Sequence, residues 1–284
     1  MKKQSVKWLD STGFHRLAYY EWGESSNDNI VICAHGLTRN GRDFDYLASA
    51  LQKDYRVICP DFPGRGQSDW LDDKNNYDYP YYLQAFTALI ARLNCQEINW
   101  VGTSMGGLTG MLIASLPGNP VIKLVLNDIG PEVPASALAS LAEYIGKQPE
   151  FESLDSLKQQ LKTIHAGFGQ LSEEQWQHLA QHSHRTLDNG HIKLSYDPDI
   201  AKPFKRLAGE DINLWPVWNA VHCPILILRG AESPLLTKPT ALKMAERNQT
   251  TLIEIPGTAH APALMAEEQI AIVENWLKKE PTAQ

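Results

Sequence analysis

A chain of 284 residues with 43% apolar and 21% charged side chains has a globular balance, long enough for one large domain with an insertion. Its 33 acids against 26 bases leave a net charge of −7, and no basic block offsets it. That disfavours a nucleic-acid backbone or an anionic membrane as partner.

The four cysteines, Cys33, Cys59, Cys95 and Cys223, form no CxxC pair. Two of them lie inside apolar runs, so a disulfide framework is not expected and a reducing compartment is. The opening "MKKQSVKWLD" has basic residues but no apolar stretch behind them. No run approaches the roughly 18 apolar residues of a membrane span. The expectation is a soluble, cytoplasmic protein.

In chain order, "VKWLDSTG" and "HRLAYYEWG" alternate apolar and polar residues and predict an N-terminal hairpin at a sheet edge. Five short apolar runs follow: "IVICA" from 30, "RVICP" from 56, "INWVG" from 98, "VIKLVL" from 121 and "PILILRG" from 224. A sixth, "TLIEIP", begins at 251. Between the early runs, "YYLQAFTALIARL" from 81 and "LTGMLIASL" from 108 carry apolar residues at helical spacing. Strand and helix in regular succession predict an α/β fold with a mainly parallel sheet covered on both faces.

The rhythm fails between residues 131 and 210, where "SALASLAEYIGK" and "SLDSLKQQLKTIHAGF" are helical and no strand of the buried kind is predicted. Residues 131–210 are therefore expected to form a helical cap over the strand ends. Residues 1–130 and 211–284 would form the core.

"INWVGTSMGGLTG", from 98, has the strand–turn–helix form that can expose a reactive serine. Gly102 and Gly106 flank Ser104 as G-x-S-x-G, since a Cβ at either glycine would collide with adjacent backbone. The following helix aims its N-terminus, with free N–H groups and a positive dipole, at a developing oxyanion. "GTSMGG" lacks the second glycine of a dinucleotide fingerprint, and no G-x-x-x-x-G-K phosphate loop occurs.

The sequence here resembles the α/β-hydrolase superfamily over nearly its whole length. The matching pieces are His35–Gly36, "DFPGRGQSDW" from Asp61, "GTSMGG" from Gly102, "LNDIGP" from Leu126 and "GTAHAP" from Gly257. The resemblance implies an α/β-hydrolase fold with an inserted helical cap, and neither cofactor nor metal.

His260, in "IEIPGTAHAP", is the candidate base, because a histidine takes and returns a proton near neutrality. His35 stands where the superfamily carries a His-Gly pair and is read as architectural. The backbone N–H groups of Leu37 and Met105 would then be the oxyanion donors. His178 and His182 lie one helical turn apart in "HLAQHSH" but lack the glutamate of H-E-x-x-H, so a solvated helix face is the reading there.

The acid is less plain. Many members of the superfamily place it just past the strand represented by "ILILRG", often as the Asp of a Ser-Asp pair, but here Ser233 is followed by Pro234. Asp128, at the end of the preceding strand, is the preferred acid. Glu232 is the alternative, since its extra methylene would let it reach the imidazole from a shifted loop.

The function expected is hydrolysis of carboxylic esters of small to medium acyl or aryl groups through an acyl-enzyme on Ser104. Phe168, Trp176, Trp215 and Trp218 are expected to line the pocket for this small-molecule ester. Carbon–carbon hydrolysis of ring-fission diketones, acyl transfer and perhydrolysis use the same machinery and stand as alternatives. So does a non-catalytic small-molecule receptor on the same fold.

Overall fold

The computed structural model describes residues 1–143, 145–203 and 209–279. Tyr144 of the "SALASLAEYIGK" run, residues 204–208 of the expected cap and residues 280–284 of the expected core lie outside the described residues.

The expected hairpin is formed by β1 (Lys2–Asp10) and β2 (Gly13–Trp22), paired from Lys2 with Glu21 to Asp10 with Gly13. Its turn closes on Asp10, whose carboxylate accepts the N–H groups of Thr12 and Gly13. The six apolar runs become β3 (Ile30–Ala34), β4 (Arg56–Pro60), β5 (Ile98–Thr103), β6 (Val121–Asn127), β7 (Ile225–Gly230) and β8 (Thr250–Ile255). Together they make an eight-stranded sheet in the order β1-β2-β4-β3-β5-β6-β7-β8. From β4 to β8 every pairing is parallel, and β3 and β7 are buried along their whole length, as strands covered on both faces must be.

Alternate residues of each strand feed two apolar layers. On one face Val31, Cys33, Val57 and Leu226 pack with Leu47 of α1 (Asp45–Leu51) and Trp276 of the C-terminal helix Glu267–Lys278. On the other, Ile32, Trp100 and Leu124 pack with Phe86 and Leu89 of α2 (Tyr79–Leu93) and Met111 of α3 (Met105–Ala114). Helix α2 starts on Asp78, whose side chain accepts the Tyr79 N–H, and stops at Asn94 in the left-handed region (φ 53°). It buries Tyr82, Ala85, Phe86, Leu89 and Leu93, a single stripe at helical spacing. Truncating Phe86 to alanine would cost about 3–5 kcal/mol.

After β6 the chain leaves the sheet and forms α4 (Ala135–Ala142), α5 (Leu154–Ile164) and α6 (Glu173–His182). Serines start the last two, Ser153 and Ser172 each accepting an N–H three residues on in a capping box. Glu132–Val133 pairs antiparallel with Ile212–Asn213 where the chain returns, through α7 (Trp215–Ala220), to β7. Within the segment His184–Thr186 pairs with Ile192–Leu194, and Ile192 and Leu194 are buried. This corrects the expectation of no buried strand there, for three residues are too few to show a period. Leu157, Leu161 and Trp176 join the same apolar layer as the sheet residue Trp100. Among the described residues no helix is long and apolar enough to cross a membrane.

Candidate active site

Ser104 sits between β5 and α3 at φ 52°, ψ −117°, a conformation that costs a non-glycine residue about 1–3 kcal/mol. Both flanking glycines are obligatory by contact. A Cβ on Gly106 would lie 2.0 Å from the carbonyl oxygen of Ala34, and one on Gly102 would lie 2.4 Å from the Gly106 backbone. The N–H of Met105, first residue of α3, has no acceptor within its own helix.

Three side chains form one row. Ser104 Oγ lies 2.9 Å from His260 Nε2, and His260 Nδ1 lies 2.7 Å from Asp128 Oδ2. Asp128 is fully buried and has φ 55°, a strained corner held by its own N–H bond to the Leu228 carbonyl. Its Oδ1 accepts the Gly230 N–H at 2.8 Å and its Oδ2 accepts the Ser233 hydroxyl at 2.5 Å. Glu232, by contrast, is exposed, and its backbone N–H bonds the Thr258 carbonyl. Of the two carboxylates, the one from β6 meets the imidazole. With Ser104 neutral and His260 deprotonated at Nε2, the row can move a proton off the serine while the carboxylate steadies the far ring nitrogen.

His35 is buried, Nδ1 lying 2.6 Å from the Gly36 carbonyl while Nε2 accepts the Phe62 N–H at 3.0 Å. Burial pushes it down to about 3, so it is a neutral brace for the loop that follows it. Arg65, also buried, extends that brace. Its Nε donates to the Leu37 carbonyl at 2.9 Å and its Nη2 approaches Met105 Sδ at 3.7 Å, tying together the two residues whose N–H groups were singled out for an oxyanion.

Ser104, His260, Leu37 and Met105 open onto a cavity of about 390 Å³. Ala137, Leu138 and Leu141 of α4 form one apolar wall of it, and Phe168 another. The three tryptophans expected beside Phe168 do not line it. Trp176 is buried in the apolar layer beneath α6. Trp218 is buried on α7 with the Arg247 guanidinium over its ring, and α7 packs on α3. Trp215 bonds Glu132 and carries the Lys243 ammonium 4.0 Å from its ring centre. An indole's large area is satisfied by these contacts, and nothing in a local pattern says which ones.

His178 and His182 are half-buried rather than solvated, lying against Asp45 and Arg42 of α1 and the turn before it. Their nitrogens and the Asp45 carboxylate lie within 4.8 Å of one another, a spacing that a metal ion accepts. However, the Arg42 guanidinium is already paired with that carboxylate. A cation there would meet another cation, so the donor set does not fit a metal.

Sequence reasoning missed Arg39 and His165, which also line the cavity, and the part played by Ser233. Arg39 had a signal, a charged residue two positions past Leu37 in an otherwise neutral loop. His165, at the end of α5, had none.

The eight-stranded sheet, the strained serine after β5 and the histidine after β8 define a class. The chain belongs to the α/β hydrolase family, whose model matches residues 31–272, and it is a hydrolase of that type. It is 43% identical over 276 residues to the 3-hydroxybutyrate-oligomer hydrolase of Cupriavidus necator, 94% of each chain being covered. It is 28% identical over 233 residues to an esterase of Mycobacterium tuberculosis, covering 80% of this chain and 73% of the relative. A crystallised protein of Rickettsia typhi superposes with a TM-score of 0.93 at 39% identity, covering 99% of this chain and 100% of that one.

Proposed function

We propose that this protein hydrolyses carboxylic esters, and among them short linear oligoesters of a hydroxy acid, with Ser104 as nucleophile. The observation that carries the reading is the row Ser104–His260–Asp128, with Ser104 and His260 opening onto a largely apolar cavity and Asp128 buried behind them. The similarity to an oligomer hydrolase along nearly the full chain supports the substrate class.

In this reading Ser104 Oγ attacks the ester carbonyl as its proton passes to His260 Nε2. The carbonyl oxygen, now anionic, is met by the N–H groups of Leu37 and Met105, which Arg65 holds in place. Asp128 accepts from Nδ1–H and offsets the imidazolium charge. His260 then protonates the departing alcohol oxygen, leaving an acyl-serine. Water, deprotonated by the same imidazole, attacks that acyl group, and the acid leaves as Ser104 regains its proton. No cofactor enters these steps. Residues 131–210 act as a cap, with α4 and Phe168 giving the acyl chain an apolar wall. The four free cysteines suit work in a reducing compartment, the cytoplasm.

The test is turnover of p-nitrophenyl butyrate and of 3-hydroxybutyrate trimer by the parent and by Ser104→Ala, with fluorophosphonate labelling of both. Hydrolysis and labelling by the parent alone are expected. An unlabelled, inactive parent would instead favour a small-molecule receptor.

A further inference from the structure

A smaller cavity of about 130 Å³ adjoins the main one, and the two share Thr38, Arg39, Ile164 and His165 as a common wall. Its lining includes two cationic residues, the buried Arg39 and the exposed Lys147, and no acidic one among the described residues. Arg39 is buried and fixed by Asp43, which takes its Nε at 2.8 Å and its Nη2 at 2.7 Å. Asp43 lines the main cavity but not the small one, so it balances one of the two positive charges and leaves that of Lys147.

The second observation is His165. It is 8% exposed, and its ring nitrogens have no hydrogen-bond partner among the described residues. Its ring stacks on Phe168, with centroids 4.5 Å apart. An imidazole in the wall between two chambers, with no side-chain partner of its own, offers its ring nitrogens to a polar group that enters either one. Burial, with Arg39 and His260 nearby, holds it well below the usual histidine range, so it stands in the shared wall as a neutral N–H donor.

The wall is also close to the serine. A methyl group placed on Gly36 would touch both Arg39 Cγ and Ser104 Cβ, each at 3.9 Å. In a linear oligoester of a 3-hydroxy acid, two carbon atoms separate the last ester oxygen from the terminal carboxylate. Ser104, Arg39 and His165 line the same main cavity, so an ester held at Ser104 shares its chamber with this wall.

We infer that the side chamber is a carboxylate subsite, in which Arg39, His165 and Lys147 hold the free acid end of an oligoester while Ser104 cuts the bond next to it. This deepens the ester-hydrolase reading and rests on it. A pair of charge-assisted hydrogen bonds, made only by the free acid, gives the subsite its selectivity over neutral esters.

The experiment compares kcat/KM for 3-hydroxybutyrate trimer as free acid and as methyl ester, in the parent, Lys147→Met and His165→Leu. The parent should prefer the free acid about tenfold, mainly through KM, and each variant should lose most of that preference. Equal handling of the two trimers by the parent, or an undiminished preference in both variants, overturns the subsite while leaving the ester reading intact. If no ester is turned over at all, the ester reading fails, and the subsite is judged by calorimetric titration of 3-hydroxybutyrate into Ser104→Ala. Saturable binding that weakens with Lys147→Met supports it, and no binding overturns it.

Discussion

Ser233 Oγ donates a 2.5 Å hydrogen bond to Asp128 Oδ2, the same oxygen that faces His260 Nδ1 at 2.7 Å. The hydroxyl also accepts the N–H groups of Leu235 and Leu236, each at 3.2 Å, so the turn after β7 is wound around it. The turn that carries the acid in many α/β hydrolases here cradles an acid from the neighbouring strand. Ser233→Ala should leave the protein folded and lower kcat on p-nitrophenyl butyrate about tenfold with little change in KM, the mark of a positioning residue. An unchanged kcat would show that the Gly230 N–H alone suffices to hold Asp128.

The two carboxylates weighed for the triad should separate sharply. Asp128→Asn is expected to lower kcat about 10⁴-fold, the loss typical of a triad acid exchanged for its amide. Glu232→Gln, an exposed change, should stay within about twofold. Circular dichroism of both variants separates loss of activity from loss of fold. A collapse for Glu232→Gln would mean that the turn rearranges when substrate binds.

Two glycine substitutions should differ because they meet different obstacles. At Gly106 an added Cβ meets the Ala34 carbonyl oxygen at 2.0 Å, backbone against backbone, and nothing flexible gives way. Gly106→Ala should cost about 3 kcal/mol or more. At Gly118, φ is +71° but no atom lies within 4 Å of the added Cβ, so Gly118→Ala should cost only about 1 kcal/mol. Urea midpoints with equal m-values measure both.

Stability should fall as the solution is acidified from pH 7 to pH 5. His35 has its pKa depressed to about 3 by burial, whereas unfolded it takes a proton near 6.5. Below pH 6.5 the unfolded chain binds the proton and the folded one does not, a loss of about 2 kcal/mol by pH 5. His165 and His182, also depressed by burial, act with the same sign. Asp61 opposes them. Burial raises it to about 6, so the folded state protonates first and gains about 1 kcal/mol over the same interval. Urea unfolding at the two pH values gives the net change. The His35 ring resonances should not titrate between pH 8 and pH 5.

Much of the fold was legible because its signals are local. Each buried strand is a short Val/Ile run, and the elbow glycines are dictated by contacts within a few residues of Ser104. His260 was legible from its place after the last strand. Asp128 and Glu232 stood as alternatives, since which of them meets His260 depends on where β6 and β7 end relative to the imidazole. The tryptophans failed for the opposite reason, because which apolar surface an indole covers is decided by packing between distant helices. His165 was invisible, since a histidine ending a polar helix carries no mark of facing a cavity.

The short turn Ala166–Phe168 lies directly on the chain that bears His260: Ala259 donates to the Gly167 carbonyl at 2.8 Å, and Ala263 to that of Phe168 at 3.3 Å. A Cβ on Gly167 would already crowd Ala259 at 2.9 Å. Residues 131–210 are thus tied at Ala166–Phe168 to the loop that bears His260, while α4, α5 and α6 share one apolar layer with the sheet. Prying that segment loose would therefore shift the imidazole as it opened the cavity.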